Sequence, residues 1–124
     1  MSSLAKKILE DINSINNPVN DNKSIKAGDY LVAKFGYNAT SIGFYKVVGL
    51  TPSGKSAKIV PVGKKITYGN AHDGRCAIDT DKIGSKAFTS RIYFGDDYDM
   101  VKVGYNSYAR KLNDLNKEFE FNSN

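Results

Sequence analysis

His72, Asp73 and Cys76 stand in one short segment and supply the residue types that a nucleophilic thiol requires. A thiolate is activated by a nearby histidine that a third group orients. Here His72 and Cys76 lie across an Asp73-Gly74 turn, and nothing in the sequence imposes the geometry that would bring them together. Cys76 is followed by Ala77-Ile78, an apolar context that favours burial, so a structural loop is the preferred reading. One histidine and one cysteine fall short of the ligand set of a structural zinc site. Asp96, Asp97 and Asp99 bracket Tyr98 and could attract a divalent cation, but the glycine and distal glutamate of a calcium loop are absent. A solvated hairpin loop is expected there, with charge pairing to a basic neighbouring chain as its alternative use, which would favour a homo-oligomer. No catalytic constellation survives, so the expectation is a non-enzyme with no cofactor and no metal.

The strongest signal is electrostatic. Between Asp29 and Asp73 there is no acidic residue, yet the stretch holds six lysines, Lys34, Lys46, Lys55, Lys58, Lys64 and Lys65. Tyr30, Phe35, Tyr37, Phe44, Tyr45 and Tyr68 are threaded through the same stretch. Such a surface suits a phosphate backbone or an acidic protein better than a neutral small molecule. Exposed rings can stack on bases for about 1–3 kcal/mol each. The opposing reading is that alternate rings form a barrel core while the lysines keep edge strands soluble. At least half of the rings must point inward in a small barrel. The Gly36-Tyr37-Asn38 loop is the best place for an outward one.

The chain of 124 residues carries a formal net charge of +5, which fits one domain and anionic partners. A domain of this length buries only about two-thirds of the surface its unfolded chain exposes, so a deep enclosed active site would compete with the core. Cys76 is the only cysteine, which fits a reducing cytosol. No segment approaches the roughly 20 apolar residues of a membrane span, and no signal peptide is evident. A cytoplasmic protein is expected, with no membrane partner.

The elements that must position these residues follow from periodicity. Leu4, Ile8, Ile12 and Ile15 make one apolar stripe, which predicts a helix over 3–16 ended by Asn16-Asn17-Pro18. From Lys26 the period changes to two. Strands are predicted for Tyr30–Phe35, Ile42–Thr51 and Ala57–Val62, with Pro52-Ser53-Gly54-Lys55 as a tight hairpin. Pro61 suggests that the third strand lies at an edge or ends there. A loop over 69–74, a short strand over 75–78 and strands over 87–94 and 100–105 complete the pattern. Tyr108, Leu112, Leu115 and Phe119 recur at helical spacing behind Ser107, which predicts a second helix over 107–119. The fold class expected is mainly β, of α+β type: a single domain over 1–124, holding an SH3-like barrel of five to six strands over 26–105 and a helix at each end.

The segment Gly28–Lys65, GDYLVAKFGYNATSIGFYKVVGLTPSGKSAKIVPVGKK, resembles a family of small proteins encoded by phages and other mobile elements. The residues that carry the resemblance are Gly28, Asp29, Phe35, Gly36, Tyr37, Asn38, Thr40, Ile42, Phe44, Tyr45, Val47 and Val48 (the pattern GD-Y…FGYN-x-T-x-I-x-FY-x-VV). Val101–Ala109, VKVGYNSYA, is similar to the closing strand of the same group. The resemblance implies an SH3-like, KOW-like barrel and, for a phage-encoded chain, the cytoplasm of a host cell. Phe35 stands where tryptophan is common in the family, and the N-terminal helix falls outside its pattern.

The leading expectation is a phage-type nucleic-acid-binding protein that engages duplex DNA or RNA through its backbone with little sequence readout. Lys46, Lys55, Lys58, Lys64 and Lys65 are the expected phosphate contacts, with Tyr37 and Arg75 as neighbours; Arg110 and Lys111 could add to the basic surface. The alternative is a protein-binding module that inhibits or modulates a host factor of transcription or defence. A nucleotide pocket built from Arg91, Arg110 and aromatic residues ranks lower, because no phosphate-cradling glycine motif accompanies them.

Overall fold

Among the described residues, the regular elements are all strands, along which successive side chains point to opposite faces. The computed structural model describes residues 24–36 and 39–122; the expected helix over 3–16 and Tyr37 lie outside the described residues. The strands are β1 (Tyr30–Phe35), β2 (Ser41–Leu50), β3 (Ser56–Gly69), β4 (Asp73–Ile83), β5 (Phe88–Tyr93), β6 (Met100–Gly104), β7 (Ser107–Leu112) and β8 (Phe119–Asn122). All of their pairings are antiparallel.

These pairings return on themselves. β1 pairs with β2, β2 with β3, β3 with β5, β5 with β6, β6 with β7, and β7 with β1 again. This closed, barrel-like ring leaves none of its strands with an open edge along its full length. Every strand of the ring sends side chains into one core: Leu31 and Ala33, Val47, Ala57 and Ile59, Ile92, Val101, and Ala109, with Ile25 packed among them.

The other two strands form a layer outside the ring. The second half of β3 pairs with β4, and β4 pairs with β8. β8 returns to the start of β2 through a bridge between Thr40 and Asn122. A second core lies under this layer and joins Val32, Ile42, Phe44, Val62, Cys76, Ile78, Leu112, Phe119 and Phe121. The ring of Phe119 meets Phe44 edge to face at 5.8 Å.

Three expectations are corrected. The helix over 107–119 is absent: β7 and β8 occupy its ends, and the 113–118 connection runs between them. Leu112 and Phe119 do face one apolar region, but from two strands rather than one helix stripe. The strand count rises from the expected five to six to eight, because β7 closes the ring and β8 extends the outer layer. Pro61 lies inside a strand, not at an edge or an end. Pairing of β3 with β5 stops at Ile59, and pairing with β4 starts at Val62, so the missing proline N–H falls where the neighbour changes. The Pro61 carbonyl accepts from the Gly84 amide at 2.8 Å.

Phe44 is 2 % exposed and sits at the centre of the second core. Phe44→Ala is expected to lower the unfolding free energy by about 3–5 kcal/mol, read as a lower urea midpoint at unchanged slope.

Candidate nucleic-acid interface

The structure disperses the lysines singled out in the sequence. Lys55 is exposed at the β2–β3 turn, where Gly54 has a φ of +73° and the Lys55 carbonyl accepts from the Ile92 amide at 2.9 Å. Lys58 faces outward on β3, opposite Thr89 of β5 and Gly49 of β2. Lys46 pairs across β2 and β3 with Val60 and holds its Nζ 5.5 Å from the Tyr30 ring centroid. Lys64 lies beyond the irregularity at Val62/Gly63. Its Nζ donates to the Ile42 carbonyl at 3.3 Å and sits 5.4 Å from the Phe121 ring. Lys65 is opposite Ala77 in the outer layer. Arg75 is committed elsewhere: it pairs with Glu120 at 3.7 Å and Glu118 at 4.0 Å, and lies over the Tyr68 ring.

A second basic surface, mostly outside the 30–68 stretch, is more continuous. Because Ile92, Val101 and Ala109 point into the ring, their neighbours Arg91, Tyr93, Lys102, Tyr108 and Arg110 point out. Register aligns them. Val32, Arg110, Met100 and Tyr93 form one row straight across β1, β7, β6 and β5. Tyr108 and Lys102 pair in the next row. Ser56 pairs with Arg91 and Lys58 with Thr89, which carries the basic surface on to Lys58 and the Lys55 turn. Neighbouring strands lie roughly 4.8 Å apart, so these side chains are within reach of one extended ligand.

Cations and rings interleave on this wall. The Arg110 guanidinium lies 5.6 Å from the Tyr98 ring centroid, and that of Arg91 lies 5.9 Å from Tyr93. Tyr93 meets Tyr108 edge to face at 5.5 Å. Beside β7 a groove of about 370 Å³ opens against the 113–118 connection, lined by Val32, Tyr98, Arg110, Lys117 and Phe119 among others. Lys34 lines the grooves that adjoin it. Lys34, Arg91, Lys102, Arg110 and Lys117 make no ion pair with any described residue. Lys111, by contrast, pairs with Asp29 at 3.6 Å in a partly buried position. Asp97 and Asp114 border the groove; Glu118 and Glu120, on its adjoining end, are the two that Arg75 holds.

The sequence offered Lys34, Arg91 and Arg110 as candidates, but not Lys102 or Lys117 and not their common wall, because residues 107–119 read as a helix, which scatters Tyr108 and Arg110 around an axis. The usable signal was Gly104-Tyr105-Asn106-Ser107, a turn sequence between two short candidate strands. Asn106 adopts a φ of +53°, a conformation that asparagine tolerates better than most residues.

His72 is exposed at the β3–β4 turn, where the Asn70 side chain accepts from the His72 and Asp73 amides at 2.8 and 3.0 Å. Cys76 is fully buried in the second core. Asp73 to Cys76 belong to β4, so the loop expected over this segment is confined to residues 70–72. No group of three or more potential metal ligands occurs among the described residues. No helix among them is long and apolar enough to cross a membrane. No protein-family model, curated protein or solved structure matches the chain.

Burial pushes the Cys76 thiol above its ordinary pKa, and the nearby Lys64 charge pulls it partly back. The stabilisation from a neutral buried thiol is complete below the ordinary value and is lost as pH rises past it toward the raised folded value. At pH 8 the native thiol is expected to react with a chromogenic disulfide far more slowly than the urea-unfolded chain does. Equal rates would show that Cys76 is accessible.

Proposed function

We propose that the protein is a non-enzymatic nucleic-acid-binding protein that holds DNA or RNA by its phosphates with little sequence readout. One observation carries this reading: Lys34, Arg91, Lys102, Arg110 and Lys117 lack acidic partners among the described residues and interleave with exposed tyrosines on one face. When solvated cations on a shared face neutralise phosphates, counterions condensed on the nucleic acid are released, and that release drives sequence-independent binding. Lys55 and Lys58 extend the path at its β3 end. Lys64 and Arg75 contribute less, since their side chains already have partners. The closed ring supports an SH3-like barrel with an added β4–β8 layer, and the residues quoted above support kinship with phage and mobile-element proteins.

A second reading has its own observation. Ile66 and Tyr68 on the outlying half of β3 are exposed, Tyr68 by 70 %. Apolar side chains on a projecting hairpin fit a protein partner, which would make the chain a modulator of a host factor.

The test is fluorescence anisotropy of labelled DNA and RNA across a salt series. The triple variant Arg91→Glu, Lys102→Glu, Arg110→Glu is expected to bind at least about tenfold more weakly, with a salt slope smaller by about three. Arg75→Ala is expected to stay within about twofold, because its charge is already balanced. Unchanged binding by the triple variant would remove the wall from the interface.

A further inference from the structure

A barrel wall is curved, and double-stranded DNA is stiff on that scale, with a persistence length of about 50 nm. A duplex laid on the wall would meet it along a narrow line and leave most of the cations from Lys34 to Lys58 unused. A single strand is flexible and can follow the curve from β1 around to β3.

The rings point the same way. In a duplex, both faces of each base are covered by its neighbours, so a protein ring finds no face to stack on. The wall nevertheless presents Tyr93, Tyr98 and Tyr108 among its cations, and Tyr105, 89 % exposed, projects from the β6–β7 turn. Isolated exposed rings are ordinary on protein surfaces, but a run of tyrosines alternating with unpaired cations is not explained by the core. Tyr98 and Phe119 also line a groove, and Arg110 and Lys117 lie over their rings. A flat base could enter between the 113–118 connection and the wall there, with its phosphate left beside Arg110, Lys34 or Lys117.

We infer that this wall takes single-stranded nucleic acid in preference to duplex, with one base held in the groove at Tyr98. The inference rests on the nucleic-acid reading above and narrows its substrate class. Specificity for base identity is not required, because every base offers a ring face.

The experiment uses the full chain and one labelled sequence in single-stranded and duplex form, as DNA and as RNA, at fixed salt. The single strand is expected to bind at least about tenfold more tightly than the duplex of the same length. Tyr98→Ala is expected to lose about tenfold on the single strand while the salt slope stays unchanged, and Tyr98→Phe to retain wild-type affinity. Tyr98 lies in a loop outside both cores, and an unchanged urea midpoint would show that each variant is folded. Equal or tighter duplex binding would overturn the single-strand inference and leave the nucleic-acid reading intact. A single-strand preference that survives Tyr98→Ala would overturn the groove assignment. No binding of either form would overturn both readings.

Discussion

The fold depends on β1 being buried on both of its faces. Leu31, Val32 and Ala33 are consecutive and all buried, which a strand with one solvated face cannot offer. Successive side chains point to opposite sides, so Leu31 and Ala33 enter the ring while Val32 faces the other way. Ile42 and Phe44 on β2 share that outward face, and leaving them in water would forfeit roughly 1.5–3 kcal/mol for each large side chain. The β4–β8 layer covers them. The same layer, with the connection that leads into β8, raises one bank of the groove beside Arg110. The groove is thus a consequence of how the second core is closed.

The interior of the ring is filled by its own side chains. Ala33, Ala57 and Ala109 are fully or almost fully buried, which marks a narrow lumen filled by its own side chains. Gly43 shows how little room remains: a Cβ there would come within 2.7 Å of the Phe35 ring and 3.3 Å of the Tyr45 hydroxyl. Burial accordingly pushes the Tyr45 phenol above its ordinary pKa. A ligand of any size has to use the outer wall or the grooves against it.

Charge is distributed to match that constraint. The partly buried pair of Lys111 with Asp29 ties β7 to the turn before β1, and the Asp29 carboxylate also accepts from the Lys26 amide at 2.7 Å. Arg75 offsets Glu118 and Glu120 at the end of the adjoining groove. Among the cations left without such partners, Lys34, Arg91, Lys102 and Arg110 share the wall between β1 and β5. Several lie over aromatic rings, contacts that orient a guanidinium or ammonium without neutralising it.

Much of the ring was legible from residue order alone. Alternation places β1, β2, β5 and β6 within a residue or two, and Pro52-Ser53-Gly54-Lys55 marks the β2–β3 hairpin, because these signals are local. The acid-free lysine stretch announced a basic protein for the same reason. The 107–119 segment was misread because Tyr108, Leu112, Leu115 and Phe119 satisfy a helical period by coincidence. Their spacing comes from two strands and a connection, with Leu115 left half exposed. Which strand neighbours which, and therefore which cations share a wall, depends on ring closure between β3 and β5 and between β7 and β1. Those contacts join residues far apart in sequence, so the basic-aromatic wall and its groove were decided by the tertiary structure.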